Sequence, residues 1–419
     1  MRGAAQRRIR RGAGRHRTGR DPLRRAARRS GNRGAIMTAF DQMNARSWEE
    51  NHLFGVLIEL TYRCNLDCFF CYNDLNLRGT PLTFDEYATF LRDLADMNVL
   101  NVILSGGEPL AHPDFFRIGS LARGLGFVVR VKSNGHALRG ELARRLRDEV
   151  DPYVVEVSLH GARADTHDRQ TRVPGSFARL IQNLSVMKEL GLRVKVNSTL
   201  TAWNEHETAE MYAICDALEL PLRFDLQVSP RDDGDRTPLE VAPTREGIGK
   251  LIAVQDARFA ALNPSPVAEP VLSEVEGRHP LPASGARGNE SGNAESAAGS
   301  PSPRVRGEGG QRPDEGPSST KHCGAGSAGI AIDPYGNVYP CVQWRRAVAN
   351  LHDVRIAEIW QTGFDGIRAE TEEAARVVRA HPRGKLLNFC PGLAEVLTGS
   401  ATRVPEELER MAEIVASTS

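Results

Sequence analysis

No stretch of this chain approaches the roughly 18 consecutive apolar residues that a membrane-spanning helix requires, so no membrane partner is expected. The apolar segment of a secretory signal is missing as well. Cysteine is scarce: seven residues, an odd number in clusters, which fits poorly with a disulfide framework. Clustered thiols point instead to metal in a reducing compartment, and the cytoplasm is the expected location. Net charge is also nearly absent, at +1. That balance hides an asymmetry, because residues 1–36 hold 13 Arg against one acidic residue, Asp21. This leader carries +12 and the remainder −11. The leader is either an address or surface-binding segment, or it is untranslated, with Met37 as the start. An acidic body argues against nucleic acid as the partner.

What is present suits a large folded chain. The 419 residues, 40% of them hydrophobic, favour two domains. From about residue 53 to 228, short β-rich runs alternate with helical patterns. The strand candidates are Val56–Leu60, Val102–Leu104, Phe127–Lys132, Tyr153–Ser158, Val194–Leu200 and Leu222–Val228. Helical stretches connect them at Thr83–Met97, Pro113–Leu125, Gly140–Glu149, Ser176–Leu190 and Glu205–Leu218, with Pro113 suited to a first helical position. Such alternation predicts an α/β fold with a parallel sheet and right-handed crossovers. Six units favour a partial (β/α)6 TIM-type barrel, whose chemistry gathers at the carboxyl ends of the strands. Residues 264–320 are rich in Pro, Gly, Ser and charge and contain no Phe, Trp or Tyr, so they are expected to form a disordered insert. Beyond it, Gly329–Asp333 and Val338–Val342 flank Pro334-Tyr335-Gly336-Asn337, a hairpin signature. A helical tail follows. The expected organisation is therefore a leader (1–36), a core domain (37–263), an insert (264–320) and a C-terminal domain (321–419).

The sharpest chemical signal directly follows the first strand: Cys64-Asn65-Leu66-Asp67-Cys68-Phe69-Phe70-Cys71. Ordinary iron–sulfur clusters use four thiolates. Three cysteines within eight residues let one loop reach three irons of a cubane and leave the fourth iron open. Structural zinc would want four ligands in two pairs. A disulfide fits a reducing compartment poorly, and chance burial does not explain the spacing.

Thr61 through Tyr72 resembles the signature loop of the radical S-adenosylmethionine superfamily, Cys-x3-Cys-x-aromatic-Cys, with Phe70 at the aromatic position that holds adenine. The resemblance implies a [4Fe–4S] cluster whose open iron is chelated by S-adenosylmethionine. Electron transfer then cleaves the cofactor to methionine and a 5′-deoxyadenosyl radical, with the protein supplying position and exclusion of water. Ser105-Gly106-Gly107-Glu108-Pro109 resembles the family's methionine-binding turn, with Gly106 and Gly107 allowing close approach and Glu108 pairing with the ammonium. Asn134, in Ser133-Asn134-Gly135, fits a polar turn over the barrel mouth, and Ser158 fits a contact to ribose or carboxylate. His160 stands where many relatives have Asp. It is either a proton carrier near the substrate or a structural histidine. Asn197, Thr199 and Gln227 are candidates to face the cavity. Cys215 keeps helical apolar spacing and reads as core.

Cys323, Cys341 and Cys390 form a looser second set. With Gly324, Gly326, the Ile332–Pro340 hairpin and Pro391-Gly392, they resemble a reduced SPASM or twitch extension, a small C-terminal iron–sulfur domain. Only three cysteines remain for it, so one auxiliary iron–sulfur cluster is expected, its fourth place filled by His322, His352, water or substrate. The two resemblances cover residues 53–263 and 321–400. They imply an enzyme that abstracts hydrogen, with a ribosomally made peptide as the first-choice substrate and a small molecule as the other. Expected partners are an electron donor such as flavodoxin or ferredoxin and a separate peptide-binding protein. Haem-pathway or sulfatase-maturing chemistry on the same scaffold is the alternative. A non-catalytic electron carrier is the alternative of another class.

Overall fold

The computed structural model of the protein describes residues 39–262, apart from Leu75, and 320–418. The Arg-rich leader and all of the expected insert except Thr320 lie outside the described residues.

A short helix, α1 (Ala39–Glu49), leads into six parallel strands joined in chain order: β1 (Gly55–Glu59), β2 (Asn101–Ser105), β3 (Val128–Ser133), β4 (Val154–Ser158), β5 (Val194–Thr199) and β6 (Leu222–Asp225). The crossovers are α2 (Phe84–Asp96), α3 (Phe115–Gly124), α4 (Gly140–Arg145) with a π-helical turn at Leu146–Val150, the pair α5 (Ala164–Thr171) and α6 (Ser176–Glu189), and α7 (Thr208–Ala217). Helix α8 (Arg245–Leu262) follows β6. The strands form because β-branched residues alternate with polar ones. Val56, Ile58, Val102, Leu104, Val131 and Val157 are buried in one core with Leu91, Ile118 and Leu184 of the helices. Each such side chain contributes about 1.5–3 kcal/mol by leaving water. The opposite face carries Arg130, Lys132, Glu156, Ser158, Lys195, Asn197 and Thr199, in register across β3, β4 and β5. The sheet is open, with β6 at one edge, as a partial barrel requires.

Helix α2 starts where its sequence says it should: Thr83 and Glu86 form a reciprocal capping box. Two expected boundaries need correcting. Pro113 sits ahead of α3, which begins at Phe115, whereas Pro109 opens a 3-10 turn (Pro109–Ala111). Strand β6 stops at Asp225, short of Val228, because the Asp225 side chain turns back to accept the Gln227 N–H.

The expected hairpin is present as β7 (Gly329–Ile332) and β8 (Asn337–Tyr339), followed by β9 (Ala349–Asn350). Buried Asp333 closes its turn by accepting from the Tyr335 and Asn337 backbones, the Asn337 amide and the Tyr339 hydroxyl. This hairpin does not stand apart. Strand β7 pairs in parallel with β1, Val56 beside Ile330 and Ile58 beside Ile332, so nine strands make one sheet. The C-terminal region is therefore a continuation of the barrel wall on the side of the strand that feeds the cysteine loop. Helices α9 (Ile356–Thr362), α10 (Asp365–Ala380), α11 (Pro391–Thr398) and α12 (Glu406–Thr418) complete it.

Candidate functional site

The Cys64–Cys71 loop emerges at the carboxyl end of β1 and is pinned by its backbone. Asp67 and Phe69 donate their N–H groups to the carbonyls of Thr171 and Gln170, at 3.1 and 2.9 Å. Those carbonyls end α5, a helix that sequence reading passed over. Within the loop, the N–H of Cys71 reaches the Cys68 carbonyl at 3.1 Å. The Cys64 sulfur accepts from the Leu66 N–H at 3.4 Å and from the Asn134 amide at 3.7 Å. Burial pushes all three thiols up, and Cys68 is raised further by the neighbouring Cys71 and Cys64 charges. Three thiolates that disfavour one another in a partly dry loop need a positive centre between them. Among the described residues, no three His, Cys, Asp or Glu side chains are placed to hold a single metal ion. A cubane presents a separate iron to each thiolate, so this donor set fits a cluster and not zinc.

The two glycines after β2 are explained by the cysteine loop itself. A Cβ on Gly106, at φ +135°, would lie 2.4 Å from the Thr61 carbonyl oxygen, and one on Gly107 would lie 2.6 Å from that of Arg63. The Gly107 and Glu108 N–H groups donate to those same oxygens at 2.6 and 2.8 Å. Glu108 turns inward, 2% exposed. Its oxygens accept from Ser133 Oγ at 2.9 Å, the Asn134 N–H at 2.8 Å and the Leu110 N–H at 3.2 Å. In this arrangement a dry carboxyl with three protein donors holds the Asn134 turn. Burial raises its pKa to about 7 despite those donors. Asn134 in turn bonds the Asn65 side chain at 2.8 Å and so reaches the loop.

Phe70 meets the His160 ring edge-on at 4.7 Å. His160 is buried and neutral, its pKa depressed to about 3 by loss of water and by His167. Its carbonyl is taken by Gln170 at 2.6 Å and its N–H by His167 Nδ1 at 3.1 Å, while its own Nδ1 meets no donor or acceptor of the protein. Ser158 ends β4 beside Asn197, whose amide donates to Glu156. Cys215 is wholly buried in α7, as its spacing implied.

The second cysteine set converges although its members are far apart in the chain. The Cys390 thiol is raised by burial and then by the nearby Cys341 and Cys323, and Cys323 is pushed up to about 12 by burial and by Cys341. Cys390 caps α11 and accepts the Leu393 N–H at 3.5 Å. Gly392 is required there, because a Cβ would lie 2.5 Å from the Gln343 carbonyl oxygen. His352 does not reach this set: its ring nitrogens meet Glu86 at 2.6 Å and the Thr80 carbonyl at 2.9 Å. His322 spends Nε2 on the Phe389 carbonyl at 2.8 Å.

Residues 58–215 match the Radical SAM superfamily and residues 323–376 match SPASM, an iron–sulfur cluster-binding domain. The chain carries a radical SAM domain and a SPASM domain. The first domain implies a [4Fe–4S] cluster and S-adenosylmethionine, and the second implies auxiliary iron–sulfur clusters. An AdoMet-dependent heme synthase of Methanosarcina barkeri is 31% identical over 44% of this chain, a stretch spanning only 53% of that relative. A pre-heme d1 synthase of Dinoroseobacter shibae is 28% identical over 77% of each chain. Streptococcus suis SuiB bound to its precursor peptide SuiA shares the fold, with a TM-score of 0.55 at 14% identity over 83% of this chain and 77% of that one. Among the described residues, no helix is long and apolar enough to cross a membrane.

One feature of the radical SAM site was invisible to motif reading. Glu59, the last residue of β1, is fully buried. It accepts from Tyr62 at 3.2 Å and Tyr72 at 3.3 Å, the tyrosines on either side of the cysteine loop. Arg345, from the SPASM region, grips it with two nitrogens at 2.9 and 2.8 Å. The Arg345 Nε lies 2.9 Å from Asp232, whose own N–H bonds the Tyr72 carbonyl at 2.8 Å. The only sequence signal was a lone carboxylate closing an apolar run, Val56-Leu57-Ile58-Glu59.

Proposed function

We propose that the protein is a radical enzyme in which Cys64, Cys68 and Cys71 hold a [4Fe–4S] cluster with one open iron, and Cys323, Cys341 and Cys390 hold one auxiliary cluster. Residues 37–263 form the catalytic core and 321–419 the auxiliary domain. The observation that carries this reading is that the two cysteine-bearing regions share one sheet through β1 and β7 and are tied together by Glu59 and Arg345. The cluster supplies, when bound, the electron that cleaves S-adenosylmethionine and so generates a hydrogen-abstracting radical. The chain's own residues orient and exclude water. Gly106 and Gly107 bring the β2 turn onto the loop, Glu108 holds Asn134 against Cys64, and Phe70 offers an apolar face backed by His160. A shallow cleft lined by Tyr72, Asp232, Gln343 and Leu393, each within three residues of Cys71, Cys341 or Cys390 or paired with Arg345, is the proposed entry for substrate.

The preferred substrate is a peptide, in line with the peptide-bound SuiB relative in fold. A one-electron donor protein and a separate peptide-binding protein would serve it. A second reading, a carboxylate-bearing tetrapyrrole, is in line with the heme synthase and pre-heme d1 synthase relatives.

The test is anaerobic reconstitution with iron and sulfide, then reduction with S-adenosylmethionine and assay for 5′-deoxyadenosine. Wild type should yield it and Cys64→Ala should not. Faster turnover with peptides than with tetrapyrroles supports the first substrate class, and the reverse supports the second. A loaded protein that yields no 5′-deoxyadenosine with either would leave an electron carrier as the better reading.

A further inference from the structure

The C-terminal set has three thiols, and a [4Fe–4S] cluster presents four irons. The fourth iron takes water, substrate or a protein group standing at the set. His352 is spent on Glu86 and Thr80, while His322, next to Cys323, turns Nε2 to the Phe389 carbonyl and keeps only Nδ1. One side chain does stand there. Gln343 lies two residues past Cys341, and its Oε1 accepts from the Cys390 thiol at 3.2 Å. The same oxygen accepts from Gln227 Nε2 at 3.0 Å. With the amide placed this way, its oxygen receives two donors.

The placement is built rather than incidental. The Gln343 backbone is held in the tight contact that requires Gly392, so the turn after Cys341 and the turn after Cys390 are locked together. Gln227, just beyond β6, steers the amide from the barrel side. A thiol that ligates iron has given up its S–H, so Cys390 as a ligand no longer donates to Oε1. The oxygen then keeps Gln227 and turns its second lone pair toward whatever occupies the set.

We propose that the side-chain amide oxygen of Gln343 is the fourth ligand of the cluster held by Cys323, Cys341 and Cys390, with Gln227 orienting it. This rests on the reading that those cysteines hold a cluster. A neutral oxygen ligand in place of a thiolate gives that cluster a higher reduction potential than an all-cysteine site, as neutral histidines do elsewhere. It also leaves one iron more readily exchanged than the other three, on the side that faces the cleft with Tyr72 and Asp232.

The test uses the full chain with Cys64, Cys68 and Cys71 changed to Ala, so that only the C-terminal site loads. Iron content, electron paramagnetic resonance of the reduced protein and its midpoint potential are measured with and without Gln343→Ala or Gln343→Cys. Circular dichroism verifies the fold of each. Gln343→Ala is expected to shift the resonance and let added cyanide perturb it, whereas Gln343→Cys lowers the potential. Loss of iron in Gln343→Ala that Gln343→Cys restores also supports the assignment. Resonance and potential unchanged in Gln343→Ala overturn it, as does iron loss that Gln343→Cys fails to restore in a folded protein. A parent that binds no iron removes the auxiliary-cluster reading itself, and the ligand assignment with it.

Discussion

Changing Arg345 to Met tests the junction between the two cysteine sets. The side chain keeps similar length and apolar volume but loses the guanidinium that meets Glu59 with two hydrogen bonds. Glu59 is 0% exposed and Arg345's side chain 9%, so water cannot take over. Breaking a buried ion pair by removing one partner costs about 3–5 kcal/mol, chiefly because the other charge stays buried and unpaired. Set against a typical domain stability of about 5–15 kcal/mol, that is a large fraction. The two tyrosine hydroxyls remain, so the lower end, about 3 kcal/mol, is expected. Glu59→Gln on top of Arg345→Met removes the charge stranded at Glu59 but not that of Asp232, so the double variant should recover part of the loss. The assay is urea denaturation of the metal-free protein, run as a double-mutant cycle. A single variant that loses less than about 1 kcal/mol would refute the reasoning. So would a double variant as unstable as the single one, since the penalty would then lie in packing and not in charge.

Other consequences can be checked separately. Glu108 has its folded pKa raised to about 7 from 4.5, so the native state holds a proton that the unfolded state has released between those values. Stability contributed by this group is fully present below about pH 4.5 and falls as pH rises to about 7, by on the order of 3 kcal/mol. The difference in unfolding free energy between wild type and Glu108→Gln should follow that slope, and a pH-independent difference would contradict it. His160 and His167 titrate in the opposite sense: their folded values near 3 and 4 mean stability lost as pH falls from about 6.5, and His160→Asn should soften the acid transition. Gly106→Ala places a methyl 2.4 Å from the Thr61 carbonyl at positive φ, so it should lower iron uptake at the first site while sparing the second, read by selective loss of one cluster's absorbance.

The elements legible in the sequence were those defined by local pattern. Six strands and five helices lie within a few residues of their expected places, because β-branched alternation, capping and turn chemistry act over a handful of neighbours. Helix α5 was passed over because Ala-Asp-Thr-His-Asp-Arg-Gln-Thr has no apolar stripe, and its role is to offer two carbonyls to the loop. The cysteine loop and the Gly106-Gly107 turn were found because both are compact motifs. The three donors around Glu108 were not, since they come from two strand ends and their placement is a product of packing.

The sequence by itself determined the kind of chemistry. Three cysteines at x3 and x2 spacing after a strand, and a repeated strand–helix rhythm, specify a cluster loop on a parallel sheet from local information alone. Tertiary structure decided how the parts are joined. The pairing of β7 with β1 brings a hairpin some 270 residues later against the founding strand, and buries Arg345 on Glu59 where each charge is tolerable only in the presence of the other. It likewise gathers Cys323, Cys341, Cys390 and Gln343, whose spacing along the chain carries no regular period. Such contacts depend on which surfaces the shared core presses together, and no window of sequence contains that information.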